Sequence, residues 1–420
     1  MFKKSFLLLP LFLICCACNT RTSIVTPMAH SQAETHYADL LQMQDLEEGR
    51  VLCRILDPWR TDHVVAQYLL VSTADAHWSE EAQHRYDEAY GTSTLLRVPL
   101  QHNTLTSACH AWLLHQLDAL QQVAVMCDTA YVCSPDVKQW LRTHPVQDGG
   151  TSLSPNTEVM LQAQSDALWI SPFENAGINT LSQLPIPTIY CADYMENSPL
   201  GRAEWMKFFG RLVGKAQEAD SLFQVVATRY DSISHASPAP SNPSNLSNPS
   251  NSSNPSNPSN SSNPSNPSNS SNPSNSSNPI PNSSHLTSHS LLPELPYGPT
   301  WYVPGGRSTS AQLYQDAGFT YPWADDSHAG SLSLSPEAVL AKAGECDVWY
   351  FKYMSYEGDW TRDTFLQQHP YYPQFKAAKE GELWGCNTAL SDFFDVTPFR
   401  PDLLLESIKN QDERFFKKLK

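Results

Sequence analysis

The amino-acid sequence predicts an α/β protein in which two lobes are joined by one long, rigid α-helix. Short apolar runs alternate with helical patterns in both the first and the last part of the chain, and this alternation is typical of parallel sheets with crossover helices. Between these parts, residues 199–236 contain no proline after Pro199 and repeat apolar residues at helical spacing. This stretch predicts the helix that connects the lobes.

The composition excludes some classes of function. The chain has 420 residues and carries 27 Lys and Arg against 43 Asp and Glu, which gives a formal charge of −16. An acidic protein is poorly suited to binding a phosphate backbone, because that requires a basic stripe. Only the N-terminus approaches the roughly 20 apolar residues of a membrane span, so a protein with several spans is disfavoured. The length suits two domains of about 100–200 residues each.

Residues 1–17 have the pattern of a secretory signal peptide. Lys3 and Lys4 give a positive start, and the apolar run 6–14 follows. The residues Cys15-Cys16-Ala17-Cys18 then resemble a bacterial lipobox, in which a small residue precedes the cysteine that receives the lipid.

Cys18 is the predicted lipidation site because Ala17 precedes it, and Cys16 is the alternative. A lipid on this cysteine would anchor the protein to a membrane without a spanning helix. Residues 18–48 would then form a tether. An ordinary cleaved signal peptide is the other interpretation of the same residues.

Seven further cysteines show no spacing typical of a zinc site. Most of them lie inside apolar runs, which predicts mainly buried thiols; one or two disulfides that the sequence does not assign are the alternative. They are Cys53, Cys109, Cys127, Cys133, Cys191, Cys346 and Cys386.

The N-terminal lobe is predicted to cover residues 49–198. Its strands are expected at 51–56, 66–72, 95–100, 123–127, 167–170 and 188–192, and its helices at 108–120 and 154–162. The strands at 95–100 and 123–127, with the helix between them, are interpreted as one βαβ unit.

The linking helix is predicted at 199–236, an insert at 237–292 and the C-terminal lobe at 293–420. Ser, Asn and Pro fill most of the insert, so it has almost no apolar surface to bury and is interpreted as an extended spacer. A recognition or glycosylation tract is the alternative. In the C-terminal lobe, strands are expected at 300–303, 347–351 and 382–385, and helices at 310–317, 336–344, 365–379 and 401–410.

Common signatures of catalysis are missing from the sequence. It has no Gly-x-Ser-x-Gly elbow and no His-Glu-x-x-His pair. The run 210–215 is one residue too short for a phosphate-binding loop. His285 and His289 are four residues apart but have no acidic or cysteine partner nearby. No catalytic residue and no metal ligand is therefore predicted.

Aromatic residues follow the predicted strands, at the sheet edge where ligands of open α/β folds bind. Their flat faces and polar tips suit a bulky planar or chelated ligand. The candidates are Tyr131, Phe173, Tyr194, Trp301, Tyr302, Tyr353 and Tyr356, and for each of them a place in the core or at its rim is the alternative. Arg307 follows Gly305 and Gly306 at a predicted helix start and is a candidate partner for an anionic ligand group; a plain turn is the alternative.

The run YMENSPLGRAEWMKFFGRLVGKAQEADSLF, at 194–223, resembles the linking-helix region of substrate-binding proteins of ABC transporters for iron chelates, haem and vitamin B12. WYVPGGRS, LSPEAVL, DVWYF and FRPDLLLESI also resemble that family, in its lipoprotein variety. The resemblance implies the class III periplasmic binding protein fold, with two Rossmann-like lobes and a stiff helix between them. The long insert after the helix departs from the family pattern.

The resemblance also implies a function and further site residues. The ligand would lie between the lobes, and one surface carboxylate on each lobe would dock on the permease. By motif these are Glu174 in SPFENAG and Glu337 in LSPEAVL. Such separated charges set register and association rate more than affinity. For Glu337, stabilisation of its own helix start is the alternative.

We therefore expect a monomeric, membrane-anchored extracytoplasmic lipoprotein that binds a metal chelate (ferric siderophore, cobalamin or haem) and delivers it to an ABC permease and its ATPase. No covalent cofactor and no nucleic acid is expected. The alternatives are a zinc- or manganese-binding relative of the same architecture, a scavenging lipoprotein that works without a permease, and an extracytoplasmic enzyme.

Overall fold

The computed structural model describes residues 35–60, 62–172, 181–236 and 289–420. The signal peptide, Cys18 and Cys16, the candidates Phe173 and Glu174, and most of the Ser/Asn/Pro insert lie outside these residues. In the described part of the chain, no helix is both long and apolar enough to span a membrane.

The first lobe begins with a four-stranded sheet in the order β1-β2-β3-β4. The strands are β1 (Leu41–Asp45), β2 (Val51–Leu56), β3 (Val64–Ser72) and β4 (Thr94–Val98), and helix α1 (Glu80–Tyr90) connects β3 to β4. The folded part thus starts inside the predicted tether 18–48. Leu41 and Met43 are buried on one face of β1, because alternate residues of a strand point to the same side.

A second, parallel sheet forms the centre of the first lobe, in the order β11-β10-β5-β6-β7. Its strands are β5 (Asn103–Leu105), β6 (Val123–Met126), β7 (Gln147–Asp148), β10 (Ala167–Ile170) and β11 (Thr188–Tyr190); β8 (Gly150–Thr151) and β9 (Ser154–Pro155) form a separate hairpin. The helices are α2 (Ala108–Gln116), α3 (Pro135–Thr143) and α4 (Thr157–Gln162). The predicted βαβ unit was wrong in its first strand, since α2 follows β5 and β4 belongs to the other sheet.

The predicted single helix 199–236 is divided into three helices: α5 (Pro199–Glu204), α6 (Met206–Leu212) and α7 (Ala216–His235). The main break is a Schellman turn at Gly214, which has φ +72°. The amide of Lys215 donates to the carbonyl of Gly210, and that of Gly214 to Arg211. Only α7 is long, with 20 residues and a length of about 30 Å.

The second lobe contains a sheet in the order β12-β16-β17-β18, parallel except at its last strand, and an antiparallel sheet β13-β14-β15. The strands are β12 (Leu291–Pro293), β13 (Pro296–Tyr297), β14 (Thr300–Pro304), β15 (Ser331–Leu334), β16 (Val348–Tyr353), β17 (Glu382–Asn387) and β18 (Lys417–Lys418). β12 lies partly within the predicted insert 237–292, so the folded lobe begins earlier than expected.

The helices of the second lobe are α8 (Thr309–Asp316), α9 (Pro336–Ala343), α10 (Arg362–Leu366), α11 (Lys376–Lys379), α12 (Phe393–Val396) and α13 (Pro401–Asn410). The predicted helix 365–379 is instead split between α10 and α11. Pro370 and Pro373 lie between them, and proline disrupts a helix interior.

Helix α7 is fastened to the second lobe by charged side chains of α13. Arg229 of α7 forms ion pairs with Asp402 and Glu406, and Lys409 of α13 donates to the last carbonyls of α7 at Ile233 and Ser234. The buried apolar residues of both lobes form one continuous cluster. The prediction of an α/β chain with parallel sheets is confirmed.

Candidate functional site

A cavity of about 240 Å³ lies between the lobes, where strands of both parallel sheets end. The first lobe contributes Cys133 and Pro135, which follow β6. The second lobe contributes residues that follow β16 and β17, among them Asp359 and Leu390. Ligands of open α/β sheets bind at the carboxyl ends of strands. This crevice is the candidate functional site.

The wall of the first lobe is set by the start of helix α3. Ser134 caps the helix, since its hydroxyl accepts from the amide of Val137, and Pro135 occupies the first turn. This geometry places Cys133 at the lobe boundary. Its Sγ lies 3.6 Å from the carbonyl oxygen of Thr388, just beyond β17.

The wall of the second lobe is ordered by the side chain of Asn387, at the end of β17. Its Nδ2 donates to the carbonyls of Ser355 and Gly358, and its Oδ1 accepts from the amide of Ser355 at 3.0 Å. One buried amide therefore ties the loop after β16 to the end of β17. Such a fixed wall lowers the entropy lost when a ligand binds.

The crevice is lined by two acidic and two basic side chains, so its formal charges balance. Lys417 Nζ lies 2.8 Å from Asp359 Oδ2, and this hydrogen bond raises the pKa of Lys417. Asp392 and Arg414 also line the cavity, and the Arg414 guanidinium lies 5.0 Å from the centre of the Phe415 ring. The crevice thus offers both signs of charge.

Large apolar side chains are exposed around this crevice and in the loops that follow the strands. Leu390, which lines the cavity, is 59% exposed. Others in these loops are Tyr131 after β6, Met354 and Tyr356 after β16, and Phe394 on α12. A group of exposed apolar residues next to a cavity indicates a surface that another molecule covers.

Three of the predicted aromatic candidates lie near the crevice, and Tyr356, in the loop after β16, is one of them. Tyr131 is exposed two residues before Cys133. Tyr353 ends β16 and is only 7% exposed; its ring stacks on Trp360 with centroids 4.2 Å apart, and its hydroxyl accepts from the Trp360 amide. Tyr353 therefore supports the wall more than it faces the cavity. Tyr194 is partly buried after β11.

Trp301 and Tyr302 do not join this site. Trp301 has no exposed surface, stacks on Trp349 and donates its indole N–H to the carbonyl of Pro293. Tyr302, the next residue of β14, points to the other side and is exposed. Because β14 belongs to the antiparallel sheet, its end is not at the edge of the parallel sheet, and Trp301 is a core residue.

Arg307 is exposed in the loop before α8. The two glycines before it do not leave open space for an anion. A Cβ on Gly305 would lie 2.3 Å from the carbonyl oxygen of His328, and one on Gly306 would lie 2.5 Å from that of Ala324. The glycines are therefore explained by close packing against the protein's own backbone.

Glu337 lies exposed in the first turn of α9, after its cap Ser335. The Tyr371 hydroxyl donates to its carboxylate, and this hydrogen bond lowers the pKa of Glu337. The carboxylate is thus ionised, oriented and accessible. Its proposed counterpart Glu174, like Phe173, is not among the described residues.

Metal-ligating residue types meet once in the described part of the chain, at the buried group Cys109, His110 and Asp193. His110 Nε2 lies 3.2 Å from Asp193 Oδ1, and Arg202 Nε lies 3.2 Å from Asp193 Oδ2. Burial alone would raise the pKa of Asp193, but His110 and Arg202 hold it below its usual value. With a guanidinium already paired to the carboxylate, a divalent cation would be repelled, and the contacts with His110 and Arg202 account for the buried charge of Asp193.

The seven described cysteines are all free thiols, and six of them are buried. The six buried residues agree with the predicted buried thiols, and no disulfide joins the described cysteines. Of these seven cysteines, only Cys133 is partly exposed.

The sequence did not predict the crevice residues of the second lobe. Leu390, Asn387 and Arg414 come from a loop, a strand end and the C-terminal segment. No motif marks these residues. The nearest signal was the end of the predicted strand 382–385, which places the following loop at the sheet edge.

The chain is similar in structure to solved periplasmic and transport proteins. One is a possible iron-binding, periplasmic solute-binding protein from Staphylococcus epidermidis, with 13% identity, a TM-score of 0.50, and coverage of 75% of this chain and 99% of that one. An ABC-type Fe3+-hydroxamate transport protein from Saccharomonospora viridis has 15% identity, a TM-score of 0.51, and coverage of 75% and 94%. The periplasmic haem-binding protein HutB of Vibrio cholerae has 13% identity, a TM-score of 0.50, and coverage of 73% and 98%.

Sequence comparison matches a smaller part of the chain than structure comparison does. No family model matches the chain. A segment of 93 residues is 30% identical to an uncharacterized lipoprotein of Methanocaldococcus jannaschii, and this segment spans 22% of each protein.

Proposed function

We propose that this chain, which has the fold of the periplasmic substrate-binding proteins of ABC transporters for iron chelates and haem, binds a metal chelate between its lobes and delivers it to a membrane permease. The crevice carries this proposal. It lies between two lobes, at the carboxyl ends of their parallel strands, and is bordered by exposed apolar side chains and by charges of both signs.

The residues of the crevice support a bulky amphiphilic ligand. Leu390 and the neighbouring Tyr131 and Phe394 offer apolar area, and Arg414 offers a cation for an anionic edge of the ligand. Ferric siderophores, haem and cobalamin all combine apolar surface with polar or charged groups. Binding and release complete the proposed role, without a covalent step.

Titration of the purified protein with three probes tests the ligand class. Haemin, cyanocobalamin and ferrichrome are added separately, and quenching of the emission of the 11 tryptophans reports binding. We expect Leu390→Asp to weaken binding of the active probe at least tenfold. Leu153→Asp is the matched control, because Leu153 is 73% exposed and does not line the cavity. Absence of binding by all three probes, or an equal loss in both variants, would contradict the proposal.

Glu337, together with Glu174, is proposed to dock on arginines of the permease. The exposed, ionised carboxylate of Glu337 supports this role for its lobe. In cells, Glu337→Gln should reduce uptake of the chelate while the affinity of the purified protein for it stays unchanged. Glu380→Gln, which alters another exposed carboxylate, should leave uptake unchanged. Uptake that is insensitive to Glu337→Gln would remove the docking role proposed for this carboxylate.

We further propose that the chain acts as an extracytoplasmic lipoprotein monomer, anchored through Cys18. The lipobox-like residues 15–18 support this location, as does the segment similar to a lipoprotein of Methanocaldococcus jannaschii. Metabolic labelling with a palmitate analogue in the host should label the wild-type chain and not Cys18→Ala. Labelling that is lost only in Cys16→Ala would move the anchor to that residue.

A further inference from the structure

The carboxylate of Glu337 is held by a second element of its lobe. Glu337 lies in the first turn of α9. Tyr371, whose hydroxyl donates to Glu337 Oε1, lies 34 residues away in the loop between α10 and α11. Stabilisation of a helix start requires only a negative charge near the first amides of the helix. The start of α9 therefore does not explain the contact from this distant loop.

The loop that carries Tyr371 is anchored on both sides of this residue. Tyr372, the next residue, is 3% exposed, and its ring stacks on that of Phe365 with centroids 4.6 Å apart and lies edge-on to that of Trp349 at 5.1 Å. The His369 ring stacks on that of Tyr371 with centroids 5.3 Å apart, and His369 Nδ1 accepts from the amide of Tyr371 at 3.3 Å. These contacts present the Tyr371 hydroxyl at a defined position.

The contact also favours the ionised form of the carboxylate. The hydrogen bond from Tyr371 is the largest cause that lowers the pKa of Glu337, and the amide of Glu337, the Ser335 hydroxyl and the charge of His369 act in the same direction. In the described part of the chain, Tyr371 and His369 are the titratable groups that act on Glu337. The same hydrogen bond raises the pKa of Tyr371, so the hydroxyl stays protonated and able to donate.

We propose that Tyr371 is a positioning residue of the docking site, whose hydroxyl holds the Glu337 carboxylate in the orientation that receives an arginine of the permease. The inference rests on the docking role proposed for Glu337. An exposed glutamate samples several rotamers, and fixing one of them on binding costs entropy. Tyr371 fixes the side chain before docking. A carboxylate has about four lone-pair sites, so the contact with Tyr371 leaves acceptor positions for the N–H groups of a guanidinium.

Carbon NMR of the glutamate carboxyl groups tests the contact in the purified chain, without permease or ligand. The resonance of Glu337 is assigned by its absence from Glu337→Gln. In Tyr371→Phe the pKa of Glu337 should be higher than in the wild type. Tyr297→Phe is the matched control, because it removes the hydroxyl of a tyrosine on β13 that is 82% exposed, and it should leave the pKa of Glu337 unchanged. An unchanged pKa of Glu337 in Tyr371→Phe would overturn the inference.

Uptake into cells tests the positioning role. Radiolabelled haemin, cyanocobalamin and ferrichrome are supplied separately, and the affinity of each purified variant for the transported probe should equal that of the wild type. Tyr371→Phe should lower uptake about threefold, because the carboxylate regains rotamer freedom, and Tyr297→Phe should not lower it. The deficit of Tyr371→Phe should grow as the medium is acidified, since its Glu337 is protonated at a higher pH than in the wild type.

The double variant separates failure of the inference from failure of the proposed function. In the Glu337→Gln background, Tyr371→Phe should have no further effect, because no carboxylate remains to be positioned. A loss of the same size in both backgrounds, or no loss from Tyr371→Phe where Glu337→Gln lowers uptake, would overturn the positioning role and leave docking intact. If Glu337→Gln itself has no effect, the docking role fails and the inference fails with it. If no probe is taken up, the proposed ligand class fails, and the NMR titration decides whether Tyr371 acts on Glu337.

Discussion

The Glu204 carboxylate provides a stringent test of how the start of the folded chain is held. Glu204 has no exposed surface. Its Oε1 accepts from the amide of His36 at 3.0 Å, and its Oε2 accepts from the amides of Tyr37 and Ala38 at 2.8 and 2.9 Å. Lys207 Nζ lies 2.9 Å from Oε1. Glu204→Gln replaces one of these acceptor oxygens with an NH2 group that faces donors.

The expected loss follows from these contacts. Removing one partner of a buried ion pair costs about 3–5 kcal/mol, because the other charge stays buried without compensation. The backbone amides add to this cost, since an unsatisfied buried donor costs about 1–3 kcal/mol. The amide of Gln still accepts through one oxygen, so we expect Glu204→Gln to lower the free energy of unfolding by about 4–6 kcal/mol, near the lower end of the two costs taken together.

The chain offers a matched control in Glu218. It forms an ion pair with Lys215 at the same three-residue spacing, with 3.4 Å between Nζ and Oε1, but its side chain is 53% exposed. Glu218→Gln should therefore cost less than about 1 kcal/mol. Urea denaturation of both variants measures the difference. Equal losses in the two variants would refute the reasoning that burial, and not the ion pair itself, decides the cost.

Three further predictions concern stability. Burial alone would raise the pKa of Asp347, but hydrogen bonds from Lys376 and Ser290 lower it to about 2. The stabilisation is therefore present above the unfolded pKa near 3.8 and is lost as the pH falls towards 2. Over this range, the urea midpoint of Asp347→Asn should fall less steeply than that of the wild type. Gly214→Ala should lower the free energy of unfolding by about 1–2 kcal/mol, because φ is +72° and a Cβ would lie 3.0 Å from Pro99. Gly298→Ala, where φ is +59° and the space is open, should lower it by less in the same assay. Trp301→Ala should lower the free energy of unfolding by about 3–5 kcal/mol, whereas Tyr302→Ala, at an exposed side chain, should lower it by less than about 1 kcal/mol. Similar thermal midpoints for the two variants would contradict the core position of Trp301.

Most of the regular structure could be predicted from local pattern. Apolar runs such as 51–56 and 167–170 match β2 and β10, because buried strands require them. Strand β1 was not predicted, because Gln and Met alternate in it and it has few strongly apolar residues. The break at Gly214 carried a signal, because glycine is the residue most often found in a left-handed turn at a helix end, but the apolar spacing on both sides of it favoured one helix.

The candidate site was less predictable than the fold. Tyr131 and Tyr353 could be placed because Tyr131 follows a parallel strand and Tyr353 ends one. Trp301 and Tyr302 could not be separated, since only the pairing of β14 in an antiparallel sheet shows which of the two faces the core. The crevice itself is formed by segments more than 250 residues apart, as the contact between Cys133 and Asp395 shows, and no local pattern encodes such a contact.

The division of the predicted long helix changes the account of how the lobes are coupled. A single rigid helix over 199–236 would itself separate the lobes, but α7 begins only at Ala216, after the turn at Gly214. Stiffness must then come from side-chain contacts at both ends of the connection: Arg229 with Asp402 and Glu406 on α13, and the Thr309 hydroxyl with the carbonyl of Glu196. Packed interfaces have discrete arrangements and do not deform continuously, so these side-chain contacts, together with the packing of helix α12 on α2, restrict the motion of the lobes.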